Sequence, residues 1–342
     1  MTRTFCLLVA ISLLGSPLAV GQEGKGSGET TIVVDGLTHP SGIALQPETN
    51  VVFVADSGAG RIGRIADGKL EPVIEGSQVG KSAGRANQEA VGPLGLAFVD
   101  QQTLIVGDGG YGAGADCVRI FKLPEDDKTL AYEADAQTKL GPAPAEEGKP
   151  AVGFFMGLAL AKHALYVMSD GDPENGWVLR STLKGTKFGN LERVMGAKSE
   201  STAGFPTGIV ISPRGEVVVA LAGDTETAGN SQIAFFSART NALLLKLDTG
   251  LDDISAIAYS PKTGLLYATD FAWSKPEEGG LYRLDSDLSA GGQKLKATKI
   301  ARLQRPAAMV IDKDGTAYIA VHGLADETSD KPAGAVLKVT GL

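Results

Sequence analysis

A short phrase recurs six times along this chain, and it limits the possible folds more than any other feature. A small or proline-containing start leads to Gly or Ala and then to an apolar run. The copies are His39-Pro40-Ser41-Gly42-Ile43-Ala44, Gly92-Pro93-Leu94-Gly95-Leu96-Ala97, Phe155-Met156-Gly157-Leu158-Ala159, Phe205-Pro206-Thr207-Gly208-Ile209-Val210, Ile254-Ser255-Ala256-Ile257-Ala258 and Arg305-Pro306-Ala307-Ala308-Met309-Val310. The pivots at 42, 95, 157, 208, 256 and 308 recur about every 50 residues, a spacing typical of propellers and other repeat arrays. Each copy continues with a polar turn, a second β-rich run, a Gly- or Asp-rich loop and a third run. Most copies offer a fourth run, as at 70–74 and 243–247. Four antiparallel strands per repeat make a propeller blade.

The pattern predicts an all-β, six-bladed β-propeller with four-stranded blades. The sixth repeat ends at its third strand, near Val339, while residues 30–34 form an unassigned strand ahead of the first repeat. Pairing the two closes the ring and leaves no open sheet edge. The 45 glycines and 16 prolines suit many tight turns, and a hydrophobic content of 43% supplies a large core. Residues 22–342 are therefore read as one domain. The segment 125–150 is read as an insertion looping over the surface.

Residues 1–21 read as a secretory signal: Arg3, an apolar stretch over 5–14 too short to span a bilayer, and Ala19-Val20-Gly21 as a cleavage pattern. The expected location is periplasmic or secreted. Cys117 is then the one cysteine left after cleavage, so no internal disulfide forms. A net charge of −8 without a basic run argues against nucleic acid as a partner. No transmembrane segment is expected, and the chain is read as a monomer.

Strand direction sorts the loops into two faces. The turns between first and second strands are short, whereas the loops at 108–116, 169–176, 223–231, 270–280 and 322–334 are long and share a face with the blade entries. Binding residues concentrate on long loops held by a rigid scaffold, so the site is expected at this top mouth of the central channel. Candidate ligand-binding residues are His39, Phe155, Thr207, Asp253, Arg305 and His322, which begin inner strands or follow second strands. His39 and His322 belong to blades that become neighbours on ring closure, and histidine titrates near neutrality and binds metals. His163 falls in a bottom turn. Asp56, Asp108 and Asp270 end second strands and are read as caps of the following turns. Asp170, Asp172 and Glu174 alternate ahead of Asn175-Gly176 as a candidate calcium loop, although its twelfth position is Ser181 rather than an acid.

The unit His39-Pro40-Ser41-Gly42-Ile43-Ala44, then Val52-Phe53-Val54-Ala55-Asp56-Ser57-Gly58 and Arg61-Ile62, resembles the NHL repeat and the related SMP-30/gluconolactonase propellers. That resemblance implies six blades and, for the lactonases, a divalent cation held in the channel by acidic and Asn or Asp side chains. At the corresponding places this chain carries Ser41, Thr207, Ser255 and Ala307. The leading expectation is accordingly an exported, non-catalytic propeller that binds a small molecule, glycan or protein at the channel mouth. The alternative is a lactonase-like, metal-dependent hydrolase with a divergent metal site. A quinone-dependent dehydrogenase is a third reading.

Overall fold

A computed structural model describes residues 28–81, 89–143, 145, 151–169, 176–197, 204–224, 227–289, 292–324 and 331–342. Residues 1–21, read as a secretory signal, and the calcium candidates Asp170, Asp172 and Glu174 lie outside the described residues. The structure is a six-bladed propeller of antiparallel blades. Inner strands run over Pro40–Leu45, Pro93–Asp100, Gly157–Ala161, Pro206–Ile211, Ile254–Tyr259 and Pro306–Ile311. Each packs beside the inner strands of the two neighbouring blades, so the six surround a central channel. Among the described residues there is no α-helix, and no helix long and apolar enough to cross a membrane.

The second strands are apolar runs with no alternation, the signature of strands buried on both faces. Val52–Asp56, Ala164–Met168, Val217–Leu221 and Leu266–Asp270 are buried at every position. The core therefore lies between blades rather than in one central mass. Outer strands such as Lys69–Glu75 are mostly exposed and carry charge. Inner strands approach closely because their pivots are small. A Cβ on Gly42 would lie 1.8 Å from the Leu94 carbonyl oxygen of the next blade, which no side chain tolerates.

The ring closes as strand counting requires. Thr30–Leu37 pairs antiparallel with Gly334–Val339 and supplies the fourth strand of blade six. Val34 and Leu37 enter a cluster with Ile43, Val52, Val54, Ala320 and Val336, which joins blade six to blade one.

The insertion differs from the expected surface loop. Leu130–Ala131 adds parallel to the outer strand of blade one, and Thr138–Leu140 is the fourth strand of blade two. Tyr132 is fully buried, donates its hydroxyl to Asp108 at 2.6 Å and stacks beside Phe121. Arg119 is buried between the rings of Tyr111 and Tyr132 and pairs with Asp108 at 3.0 Å and Glu133 at 2.9 Å. The polar segment is thus a clasp across blades one and two, because its buried Leu130, Tyr132 and Leu140 and its acid Glu133 find partners there.

Candidate active site at the channel mouth

The acids that end second strands build the mouth. Asp56 accepts the Thr38 amide at 2.6 Å and pairs with Arg61 at 2.8 Å, which fixes the turn that presents His39. Asp270 accepts the Asp253 amide at 3.0 Å and the Ala272 amide at 3.1 Å, tying two mouth loops together. Asp108 accepts the Cys117 amide at 3.0 Å. Four non-glycine residues around this rim hold a positive φ: His39 at 48°, Phe154 at 51°, Ala272 at 51° and Arg305 at 50°. Such conformations cost about 1–3 kcal/mol each and cluster where a site must be held in shape.

The channel encloses about 840 Å3. Its wall is mainly apolar, with Ile43, Leu94, Met156, Ile209, Ile257 and Met309 among its residues. Its polar groups sit apart from one another. On blade five, Asp253 accepts the Trp273 amide at 3.0 Å. Where blades six, one and two meet, His322, His39, Ser41 and Glu89 converge.

His322 is the centre of that cluster. Its amide donates to the Arg305 carbonyl at 3.0 Å, which sets the backbone. Its ring stands edge-on to Phe271 and tilted against His39, each with centroids 5.3 Å apart. Nε2 lies 3.4 Å from Ser41 Oγ, and Nδ1 lies 3.3 Å from Glu89 Oε2. The Nδ1–Glu89 contact has ion-pair distance without hydrogen-bond alignment, so Nδ1 has no hydrogen-bond partner among the described residues. Ser41 donates its hydroxyl to the His39 carbonyl at 2.8 Å.

Burial pushes the His322 imidazole below its ordinary value. The Glu89 carboxylate draws it back up, and the charges of His39 and Arg305 reinforce the lowering. Burial opposes ionisation of Glu89, but contact with His322 and the charges of His322, His39 and Arg305 outweigh it and hold the carboxyl below its usual value. At neutral pH the pair is therefore a neutral imidazole beside a carboxylate. That arrangement accepts a proton at the channel surface and stabilises the imidazolium that results.

The structure sorts the sequence candidates unevenly. His39 and His322 meet, as the strand-direction argument requires. Thr207 and Asp253 line the channel. Arg305 contributes a buried Nε without a partner among the described residues. Phe155 requires a correction. It is fully buried among Ile105, Val118, Leu165 and Leu179 between blades two and three, while Phe154 faces the channel. The backbone turns at Phe154, where φ is 51°, and the two adjacent rings diverge there, one to the channel and one to the core. Sequence reasoning missed Glu89 as a site residue. Its one signal was its position just before Gly92-Pro93, the blade-two equivalent of the His39 entry.

The donor set at the inner-strand starts does not fit a hard cation. Thr207 gives its hydroxyl to the Ile254 carbonyl of blade five at 2.5 Å. Ser255 reaches the Pro306 carbonyl of blade six at 2.5 Å and Thr269 Oγ1 at 2.8 Å. Ala307 offers no donor atom. These hydroxyls are already engaged in joining blades. Among the described residues no three His, Cys, Asp or Glu side chains are placed to hold a metal ion.

Comparison with solved structures places the architecture. A putative glucose dehydrogenase from Thermus thermophilus is similar over 92% of this chain and 100% of its own, with 17% identity and a TM-score of 0.61. A gluconolactonase from Xanthomonas campestris is similar over 92% and 91%, with 15% identity and a TM-score of 0.55. An aldose sugar dehydrogenase from Streptomyces coelicolor, in its PQQ-bound form, is similar over 92% and 99%, with 13% identity and a TM-score of 0.58. The fold is that of the gluconolactonase-like propellers. No family model and no curated protein matches the sequence. These neighbours correct the expectation of a non-catalytic binding propeller, because all three are named as enzymes. They favour the enzyme alternative.

Proposed function

We propose that the channel mouth is the active site of an exported hydrolase that opens lactone or related ester bonds, with His322 as general base. The observation that carries this reading is the partly buried His322–Glu89 pair facing an apolar channel of about 840 Å3. A neutral imidazole beside a carboxylate removes a proton from an attacking hydroxyl and returns it to the leaving oxygen, which is the proton traffic that ester hydrolysis needs. The apolar wall takes the body of the substrate and keeps bulk water from it. Export rests on Arg3 and the apolar stretch over 5–14.

The neighbours' two chemistries are distinguished by what the channel can hold. PQQ is a tricarboxylate and calls for several cations. Among the described channel-lining residues Lys81 is the one with a permanent positive charge, and Glu89 and Asp253 oppose it. A lactone is neutral and makes no such demand. Because the described residues offer no fitting cation set, turnover is expected to persist in EDTA.

The test is hydrolysis of alkyl-substituted γ- and δ-lactones by the full chain, followed by pH indicator. Turnover above background, unchanged by EDTA and lowered at least ~100-fold by His322→Ala, is the expected result. No turnover of any lactone, or turnover indifferent to His322→Ala, overturns the reading.

A further inference from the structure

We propose that Ser41 is a nucleophile and that Ser41, His322 and Glu89 act as a hydroxyl–imidazole–carboxylate relay, hydrolysing the substrate through a covalent acyl-enzyme. The inference rests on the hydrolase reading and adds a step to it: attack comes from the protein rather than directly from water.

The order of atoms is the argument. Ser41 Oγ is 3.4 Å from His322 Nε2, and the opposite ring nitrogen, Nδ1, is 3.3 Å from Glu89 Oε2. One ring nitrogen thus addresses a hydroxyl, and a carboxylate stands at ion-pair distance from the other; alignment of that second contact on substrate binding would orient the base toward the nucleophile, as on many unrelated folds. The three residues come from three blades' worth of chain. Ser41 sits on the inner strand of blade one, His322 follows the second strand of blade six, and Glu89 precedes blade two. Such convergence at one point of the channel wall is not explained by packing. Thr207 and Ser255, the hydroxyls of the equivalent inner-strand positions, reach carbonyls of the next blade. Ser41 does not: among the described residues it donates to the carbonyl two residues back, at 2.8 Å, and its other polar neighbour is the His322 ring.

Catalysis needs a rotation about the Ser41 Cβ–Oγ bond that turns its proton from the His39 carbonyl to Nε2, with Oγ itself staying in place. The Ser41 oxygen then bonds to the substrate carbonyl carbon while its proton passes to Nε2. Collapse of the tetrahedral adduct breaks the bond from that carbon to the ring oxygen, which takes the proton from His322. Water next attacks the acyl carbon and gives a proton to His322. Ser41 leaves with that proton, and a hydroxy acid is released. One lactone and one water are consumed, with no oxidant or cofactor.

An alkyl fluorophosphonate with an apolar tail reads this directly, since it captures an activated serine without turnover. The full chain is incubated with the probe, weighed intact and mapped by peptide mass spectrometry, alongside Ser41→Ala and His322→Ala. A single adduct on Ser41, absent from Ser41→Ala and formed at least ~100-fold more slowly in His322→Ala, is expected. Labelling of the unmodified chain does not depend on the folding of any variant. No adduct on Ser41 overturns the relay; if lactones are still hydrolysed, His322 activates water and the hydrolase reading survives alone. An adduct on Ser41 without turnover of any lactone upholds the nucleophile and removes lactones as the substrate class.

Discussion

Leu37→Ala tests ring closure at a single side chain. Leu37 is 1% exposed at the end of the N-terminal strand and packs in the cluster that joins blade six to blade one. Truncation removes its transfer free energy and leaves a cavity that the paired strands cannot collapse, a loss of about 2.7–5 kcal/mol. Ile32 lies on the same strand but is 66% exposed, so Ile32→Ala is expected to stay within about 0.5 kcal/mol. With an unfolding entropy of about 2.1 cal/mol/K per residue over ~300 ordered residues, a 3 kcal/mol loss lowers the melting temperature by ~5 °C. Differential scanning calorimetry of both variants at one protein concentration measures this. If Leu37→Ala melts with the unmodified chain, or the two variants fall equally, the N-terminal strand is not a packed member of blade six and the closure argument is wrong.

Further outcomes follow from the charged groups. Activity requires neutral His322, whose pKa is lowered from 6.5, so kcat/KM is expected to stay level above that value and to fall only at lower pH. Glu89→Gln removes the carboxylate that raises His322 and is expected to move this acid limb to still lower pH while reducing the rate; a limb shifting upward refutes the assignment. The same sign governs stability: the contribution of neutral, buried His322 is present above 6.5 and is lost as pH falls through its lowered folded value, which urea melts at several pH values would show. Asp108→Ala strips buried Arg119 of one of its two acidic partners and leaves the Tyr132 hydroxyl without its acceptor, a loss of about 3 kcal/mol by chemical denaturation. Lys139→Ala, which removes an exposed partner of Glu133, is expected to change stability by less than about 0.5 kcal/mol, and an equal effect of the two would show that the clasp is ordinary surface.

Much of this was legible because a propeller repeats itself. Small pivots, apolar second strands and polar turns recur in each blade, and each is a local consequence of a strand's place between neighbours. Counting strands paired the run at 30–34 with the one at 336–339, which the structure extends to Thr30–Leu37 and Gly334–Val339, and strand direction put His39 and His322 on one face. The insertion was less legible, since its strands are only two and three residues long and carry no periodic signal.

The sequence by itself thus determined the architecture, the closure and the shared face of His39 and His322, because these follow from a pattern repeated within each stretch of about 50 residues. Only the tertiary structure decided the chemistry of the channel. It turned Phe154 toward the channel and Phe155 into the core, committed Thr207 and Ser255 to carbonyls of the next blades, and brought Glu89 to His322. Ser41 and His322 are 281 residues apart, and their approach to 3.4 Å depends on the curvature of the whole ring and on two side-chain rotamers. No local pattern encodes a distance that every blade helps to set.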